Sequence, residues 1–254
     1  MGQIICAGLG PGDPELLSVK ADRAVRSAKH LAYFRKAGRA GQARRIVDNM
    51  LCEGVIEYAM EYPVTTELPI HSDEYNQALA HFYDDWTARL AALAEQHNVV
   101  VLCEGDPFLY GSFMHLHVRL KEHAHVQVQV IPGIPSMVGC WNVLDTPFTW
   151  GDDALCVVMG TLPEEEMLKY IRAADALVVM KVGNNLPTIR RALTDAGKVE
   201  QAWLVIHGTM PDQKAMRLSD YDKTICPYFA AVFVHGNGRR PQIVASDQIG
   251  AETQ

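Results

Sequence analysis

The sequence lacks several features that would assign it to a class at once. No run approaches the ~20 consecutive apolar residues of a membrane-spanning helix, so we expect no membrane partner. Acidic residues outnumber basic ones, 30 to 23, and the net charge of −7 leaves no cationic excess for binding nucleic-acid phosphates. No basic leader precedes an apolar run at the N-terminus. We therefore expect a cytoplasmic protein that does not bind nucleic acid.

Metal and disulfide motifs are also scarce. The six cysteines are scattered without C-x-x-C spacing, which favours buried reduced thiols over disulfides or a zinc site. His115, His117, His123 and His125 lie close together in sequence. However, His115 and His117 are two positions apart on a predicted helix, so their side chains point about 200° from each other. We predict no metal site.

The pattern of apolar residues predicts an α/β fold. The chain has 254 residues, 48% hydrophobic and 21% charged, which is ordinary for folded globular proteins. Short apolar runs alternate with amphipathic stretches, as in βα units around a mostly parallel sheet. The predicted strands are Gln3–Gly8, His30–Phe34, Asn98–Cys103, Val126–Ile131, Ala154–Met159, Ala176–Lys181, Ala202–Ile206 and Phe229–His235. The predicted helices are Glu15–Ala28, Asp73–Gln96, Leu109–Glu122 and Leu186–Ala196.

A proline-rich segment predicts a division into two domains. Residues 131–135 read Ile-Pro-Gly-Ile-Pro, which must interrupt regular structure between a strand and the next helix. The strand–helix alternation restarts after this segment. We therefore predict an N-terminal α/β domain over residues 1–131 and a C-terminal α/β domain over residues 136–254.

The first loop, Gly8–Pro14, reads GLGPGDP and follows a predicted strand. It resembles a dinucleotide fingerprint, but Asp13 stands where that motif needs its third glycine, and no acid ends the second strand to hold a ribose. Its prolines remove backbone N–H donors, which argues against pyrophosphate binding. The chain also has no G-K-[ST] motif for a P-loop. This loop has two interpretations, a rigid wall and a simple tight turn.

The second loop, Glu104–Ser112, again follows an apolar strand and repeats the Gly-Asp-Pro of the first. Ligands of open α/β sheets bind at the carboxyl ends of strands, so both loops line one crevice if their strands are neighbours. Carboxylates and carbonyls at this place suit a cationic or donor-rich ligand. The alternative for Asp106 is a helix N-cap.

Four motifs in order resemble the tetrapyrrole (corrin/porphyrin) methylase family across nearly the whole chain. They are GLGPGDP, EGDPFLYGS, IPGIPS and HGTMPDQK. Within the family, SFMHLHVRL, MGTLPEEE, DALVVMKVGNN and PYFAAVFV most resemble the members that methylate C20 of precorrin-2 to give precorrin-3A in aerobic cobalamin biosynthesis. The competing interpretations are methylation of the cobalt-containing counterpart in the anaerobic pathway and a tetrapyrrole carrier without catalysis.

The resemblance implies two α/β domains with S-adenosyl-L-methionine (SAM) in the cleft between them, in a homodimer. Carried over by motif, the cofactor-binding residues are Leu9, Pro11, Gly105, Asp106, Leu109, Tyr110, Pro135, Ser136, Val182, His207, Gly208 and Thr209. The sequence departs from the family at Pro135 and Ser136, at Val182, and at His207–Thr209, so these assignments rest on weaker matches.

The implied chemistry also points to residues for proton handling and for substrate carboxylates. Tyr110 and Glu104 lie in the second loop and are the candidate catalytic residues for removing the proton that C20 must lose. Arg35, Lys36 and Arg39 begin a run of five cations that ends at Arg45, and they are the candidates for binding substrate carboxylates. An ordinary solvated helix face is the alternative for that run.

Overall fold

The computed structural model describes residues 2–65 and 72–241, which form two compact units. Among these residues, the first unit comprises those of 2–140 together with 207–213, and the second comprises 141–206 and 214–241. The division thus falls a few residues after the proline-rich segment, and a short later segment joins the first unit. The predicted domain 136–254 includes residues 242–254, which lie outside the described residues.

The first unit is built on a parallel five-stranded sheet. Its strands are β1 (Gln3–Gly8), β2 (His30–Lys36), β3 (Ile56–Tyr62), β4 (Val99–Cys103) and β5 (Gln127–Ile131). Its helices are α1 (Val19–Arg26), α2 (Gln42–Ile46), α3 (Asp73–Ala94), α4 (Phe113–Leu120) and α5 (Ser136–Asn142), the last of which runs into the second unit. The strand order is β3-β2-β4-β1-β5, and every pairing is parallel.

The second unit contains a mixed sheet. Its strands are β6 (Leu155–Met159), β7 (Ala176–Met180), β8 (Trp203–Ile206), β9 (Lys214–Arg217) and β10 (Ala230–Val234), and its helices are α6 (Glu164–Ala173) and α7 (Leu186–Asp195). The strand order is β6-β7-β10-β8-β9. Only β6 and β7 pair in parallel, while β10 runs antiparallel to both its neighbours and β9 antiparallel to β8. The α/β class is confirmed, but the parallel arrangement that we predicted holds fully only in the first sheet.

All eight predicted strands are present, with ends that differ by at most two residues. Two further strands, β3 and β9, were not predicted; both are edge strands with several exposed residues. The predicted helix Glu15–Ala28 is interrupted, because Ser18 caps a helix that begins only at Val19. The predicted helix Leu109–Glu122 begins at Phe113, because the preceding loop continues through Ser112.

Two apolar clusters cover the two faces of the first sheet. One joins the sheet to α3 and α4, and the other joins it to α1 and α2. A third cluster forms the core of the second unit around α6 and α7. All six cysteines are free of disulfides. Within the described ranges, none of the helices combines the length and apolarity that crossing a membrane requires.

We expect Phe113→Ala to lower the free energy of unfolding by about 3–5 kcal/mol, as is typical when a buried phenylalanine is truncated. Phe113 is fully buried at the start of α4 and packs in the cluster that joins α3 and α4 to the sheet. Urea denaturation measures the change. The matched control is Val118→Ala on the same helix, where the side chain is 57% exposed. Equal losses in the two variants would contradict this assignment of the core.

Candidate functional site

The loops after β1 and β4 lie side by side at the carboxyl edge of the first sheet. Gly8 is in register with Cys103, and the Leu9 N–H donates to the Cys103 carbonyl at 2.9 Å. Beyond the strands, the Gly105 N–H donates to the Gly10 carbonyl at 2.8 Å, and the Gly10 N–H donates to the Gly105 carbonyl at 3.3 Å. This confirms that the strands carrying the two Gly-Asp-Pro loops are neighbours.

The loop after β5 crosses the other two so closely that only glycine fits. A Cβ on Gly133 would lie 2.1 Å from the Gly105 carbonyl oxygen and 2.8 Å from the Gly8 carbonyl carbon. A Cβ on Gly8 would lie 2.5 Å from the Gly133 nitrogen. Real Cβ atoms do not approach backbone atoms this closely. The three loops therefore meet at three glycines.

Asp106 fastens this crossing with both of its carboxylate oxygens. Oδ1 accepts a hydrogen bond from the Phe108 N–H at 2.9 Å, and Oδ2 accepts one from the Gly133 N–H at 3.1 Å. Asp106 is not the N-cap of α4, which begins at Phe113. It caps its own turn and ties the loop after β4 to the loop after β5.

Left-handed backbone conformations concentrate among the predicted cofactor-binding residues. Among the described residues, five that are not glycine have positive φ: Tyr110 (56°), Asp145 (48°), Lys181 (54°), His207 (51°) and Thr209 (66°). Three of these are predicted cofactor-binding residues, and Lys181 directly precedes a fourth. Such conformations are costly and cluster at ligand sites, so their positions support a functional role for these loops.

The segment 207–213 packs on the first loop within the same unit. A Cβ on Gly12 would lie 3.3 Å from the Thr209 hydroxyl oxygen, and one on Gly139 would lie 2.5 Å from Pro11 and 3.0 Å from Thr209 Cγ2. The Thr209 hydroxyl is buried and has no hydrogen-bond partner among the described residues. This segment therefore adds an available polar atom beside the rigid first loop.

Glu104 lies where the loop after β4 meets α2. Its Oε1 accepts a hydrogen bond from the Ala43 N–H at 3.1 Å. The side chain is accessible to solvent, yet surrounding protein desolvates it enough to raise the pKa of its carboxyl to about 7, against the opposing effect of the Ala43 hydrogen bond. A carboxyl with this pKa exchanges protons readily near neutral pH.

Two predicted cofactor-binding residues bury their side chains in the cores. Leu9 is fully buried in the cluster beneath α1 and α2, and Val182 in the core of the second unit. Pro135 and Ser136 lie beside the loop after β4. A Cβ on Gly105 would lie 3.4 Å from the Ser136 nitrogen and 3.9 Å from the Pro135 Cα.

The remaining predicted residues lie on the exposed part of the loop after β4 and in the 207–213 segment. Tyr110 is 50% exposed and its neighbour Phe108 is 49% exposed. Leu109 between them is partly buried and donates its N–H to the Asp106 carbonyl at 3.2 Å. Gly208 is buried, and its backbone forms a hydrogen bond with the Cys140 thiol. Burial raises the pKa of this thiol to about 11, and the hydrogen bond opposes the rise.

The cation run does not form a single unpaired patch. Arg35 pairs with Glu61 at 2.5 Å, because β3 lies beside β2 with these two residues in register. Lys36 donates to the Thr65 hydroxyl at 2.8 Å. Arg39 is exposed and makes no ion pair with any residue in the ranges described. The run itself contains no acid, and the acid that pairs with Arg35 comes from β3, a strand that was not predicted.

Comparisons with known proteins agree with the motif resemblance. A sequence profile described as Tetrapyrrole (Corrin/Porphyrin) Methylases matches residues 3–220. The precorrin-2 C(20)-methyltransferase of Sinorhizobium sp is 45% identical over 95% of this chain and 98% of that protein. The cobalt-precorrin-2 C(20)-methyltransferase of Salmonella typhimurium is 27% identical over 92% of this chain and 96% of that protein.

A solved structure has the same fold. The crystal structure of uroporphyrin-III C-methyl transferase from Thermus thermophilus, complexed with S-adenosylhomocysteine, matches with a TM-score of 0.62 at 21% identity. The match covers 92% of this chain and 97% of the other. Because the family profile spans most of the chain and a relative of 45% identity covers nearly all of it, the chain belongs to the tetrapyrrole (corrin/porphyrin) methylase family.

Proposed function

We propose that this chain transfers the methyl group of SAM to C20 of precorrin-2, giving precorrin-3A in aerobic cobalamin biosynthesis. The observation that carries the proposal is the 45% identity, over nearly the full length of both proteins, to a precorrin-2 C(20)-methyltransferase. The cobalt-precorrin-2 relative is 27% identical over a similar span, which favours the metal-free substrate.

The loops at the carboxyl edge of the first sheet suit SAM as the cofactor. The buried Thr209 hydroxyl lacks a partner among the described residues, and Tyr110 presents half of its surface to solvent beside the glycine crossing. We assign Gly105, Asp106, Tyr110 and Thr209 to the part of the site that holds the cofactor. SAM, when bound, supplies an electrophilic methyl group on a positively charged sulfur.

Stiff loops suit methyl transfer better than a strong anion beside the sulfur. The positive charge of the sulfur disappears as the methyl leaves, so a fixed anion there would stabilise the ground state more than the transition state. Both oxygens of Asp106 already accept backbone N–H groups. Correct placement of the reacting atoms can lower the barrier by about 7–11 kcal/mol. The glycine crossing and the prolines provide such placement.

Glu104 is the residue that we assign to proton removal. C20 of the substrate must lose a proton when it gains a methyl group, and a carboxylate with a pKa of about 7 can accept it near neutral pH. Tyr110, on the same loop, is the second residue that we assign to proton handling.

We assign the substrate carboxylates to the cations at the end of β2 and directly after it. Arg39 is exposed without an ion pair among the described residues, whereas Arg35 must exchange Glu61 for a substrate carboxylate. Lys36 lies between them at the end of β2. The run leads into α2, whose Ala43 N–H contacts Glu104, so these cations lie in sequence next to an element that touches the site. We further propose that the enzyme acts as a cytoplasmic homodimer.

The proposed reaction predicts one added methyl group on precorrin-2 when the pure protein is incubated with SAM. The measurement is product mass, with the cobalt counterpart as a parallel substrate. Turnover of the cobalt compound alone would assign the protein to the anaerobic pathway. Binding of the pigment without any methylation would support a carrier.

If Glu104 removes the proton, kcat of the wild type should rise with pH through about 7 as the carboxylate forms. We expect Glu104→Gln to lose that rise and to lower kcat by about 10²-fold. The measurement is a pH–rate profile. The control is Glu95→Gln, an exposed acid at the end of α3. An unchanged pH profile in Glu104→Gln would exclude Glu104 as the base.

The raised pKa of Glu104 also predicts how stability changes with pH. Its folded pKa of about 7 lies above the ordinary 4.5, so the neutral form is favoured on folding. That contribution is complete below pH 4.5 and is lost as pH rises through about 7. As pH rises from 4.5 to about 7, the Tm of Glu104→Gln should therefore increase relative to the wild-type Tm. Scanning calorimetry measures both values. A constant difference would contradict the shifted pKa.

Asp106→Ala removes two acceptors from backbone N–H groups at the loop crossing. We expect stability to fall by about 1–3 kcal/mol and affinity for S-adenosylhomocysteine to fall by about tenfold or more. Thermal unfolding and calorimetric titration measure the two effects. The control is Asp175→Ala, which removes a carboxylate acceptor of the Ala154 N–H in the second unit. Unchanged affinity in Asp106→Ala would remove Asp106 from the cofactor site.

A further inference from the structure

A hydrogen bond between two hydroxyl groups fastens the far end of the Glu104–Ser112 loop. The Tyr62 hydroxyl, at the end of β3, forms this bond with the Ser112 hydroxyl. The Tyr83 hydroxyl, on α3, lies close to both: burial raises its pKa, and their hydroxyl groups oppose the rise. Tyr62, Ser112 and Tyr83 thus bring together three parts of the first unit that are far apart in sequence.

Ser112 makes this contact and does not cap α4 with its side chain, although its position favours such a cap. It occupies the N-cap position of α4, where a serine hydroxyl ordinarily accepts a hydrogen bond from the first helical turn. No such side-chain bond is formed at this helix start. The hydroxyl bonds to Tyr62 instead, which is a tertiary contact and not a local helix cap.

Tyr83 is itself held firmly on α3. Its ring stacks on His115 with centroids 4.7 Å apart, and the Arg119 guanidinium lies 5.6 Å from the ring centroid. Arg119 is in turn paired with Asp84 at 2.6 Å. Tyr83 is buried. The Tyr83 hydroxyl, close to Ser112, therefore projects from a fixed ring.

The loop between its two anchors presents a strained and exposed residue. Asp106 fixes one end through the Phe108 and Gly133 N–H groups, and Ser112 fixes the other. Between them Tyr110 has φ of 56° and is 50% exposed. A bulky residue persists in this conformation only when its surroundings hold it there.

We propose that Ser112 is a positioning residue for the methyl transfer: bonded to Tyr62 beside the buried Tyr83, it holds Tyr110 in the orientation that contacts the cofactor. The proposal rests on the proposed methyltransferase function and extends it to Ser112, the last residue of the EGDPFLYGS motif, and to Tyr62, which lies outside the four motifs. It requires no contact between Ser112 and any ligand.

The test compares Ser112→Ala, which loses the hydroxyl, with Ser112→Thr, which keeps it. We expect Ser112→Ala to weaken binding of S-adenosylhomocysteine about tenfold and to lower kcat/KM about ten- to hundredfold. Ser112→Thr should stay within about threefold of the wild type in both measurements, since its hydroxyl can still meet the tyrosines. Calorimetric titration well below the Tm of each variant separates binding from any loss of stability.

Tyr62→Phe removes the partner hydroxyl and should weaken binding in the same direction. If the two residues act as a unit, the double variant Ser112→Ala, Tyr62→Phe should bind about as weakly as Ser112→Ala alone. The control is Ser27→Ala, whose hydroxyl donates to the Arg23 carbonyl at 2.8 Å at the end of α1.

Two outcomes would overturn the proposal, and they are distinguishable. If the wild type and Ser112→Ala bind S-adenosylhomocysteine equally and only the Tm differs, Ser112 has a structural role alone and the proposed function stands. If the wild type does not bind S-adenosylhomocysteine, both the positioning role and the proposed function are wrong.

Discussion

The close crossing of three backbone loops at Gly8, Gly105 and Gly133 is the constraint on which the candidate site depends. The crossing is possible because β4, β1 and β5 are adjacent parallel strands, so their carboxyl ends meet at one edge. A side chain on Gly133 would collide with the carbonyl of Gly105. Glycine at these positions therefore brings backbone atoms, not side chains, to the centre of the site.

A few polar contacts hold the loops around this crossing in place. Asp106 joins two of the loops, and Ser112 joins the end of the same loop to β3. The half-exposed Tyr110 lies between these anchors. A site of this kind acts by holding reactants in place, and its few titratable groups have supporting roles. We propose Glu104 as the proton acceptor, because desolvation raises the pKa of its carboxyl to about 7.

The sequence predicted those features that depend on local pattern. Strong apolar runs located all eight predicted strands, and repeated Gly-Asp-Pro motifs indicated which loops would meet. Two edge strands were missed, because a half-exposed strand such as β3 carries acids among its apolar residues. Missing β3 also hid the pairing of Arg35 with Glu61, which depends on register between strands.

Long-range contacts were beyond the reach of single-sequence reasoning. The motif Gly-Asp-Pro gave the position of Asp106, but its bond to Gly133 appears only once β5 is placed beside β1. Likewise, Ser112 falls inside the helix predicted over Leu109–Glu122, whereas its bond to Tyr62 depends on tertiary packing. Nothing in the local sequence indicates that residues 207–213 belong to the first unit, because the residues before and after them belong to the second.

The most direct test of the central claim is a crystal structure of this protein grown with S-adenosylhomocysteine. The account predicts the ligand at the carboxyl edge of the first sheet, in contact with Gly105 and Tyr110 and within hydrogen-bond distance of the Thr209 hydroxyl. A ligand bound elsewhere, with these three residues untouched, would contradict it.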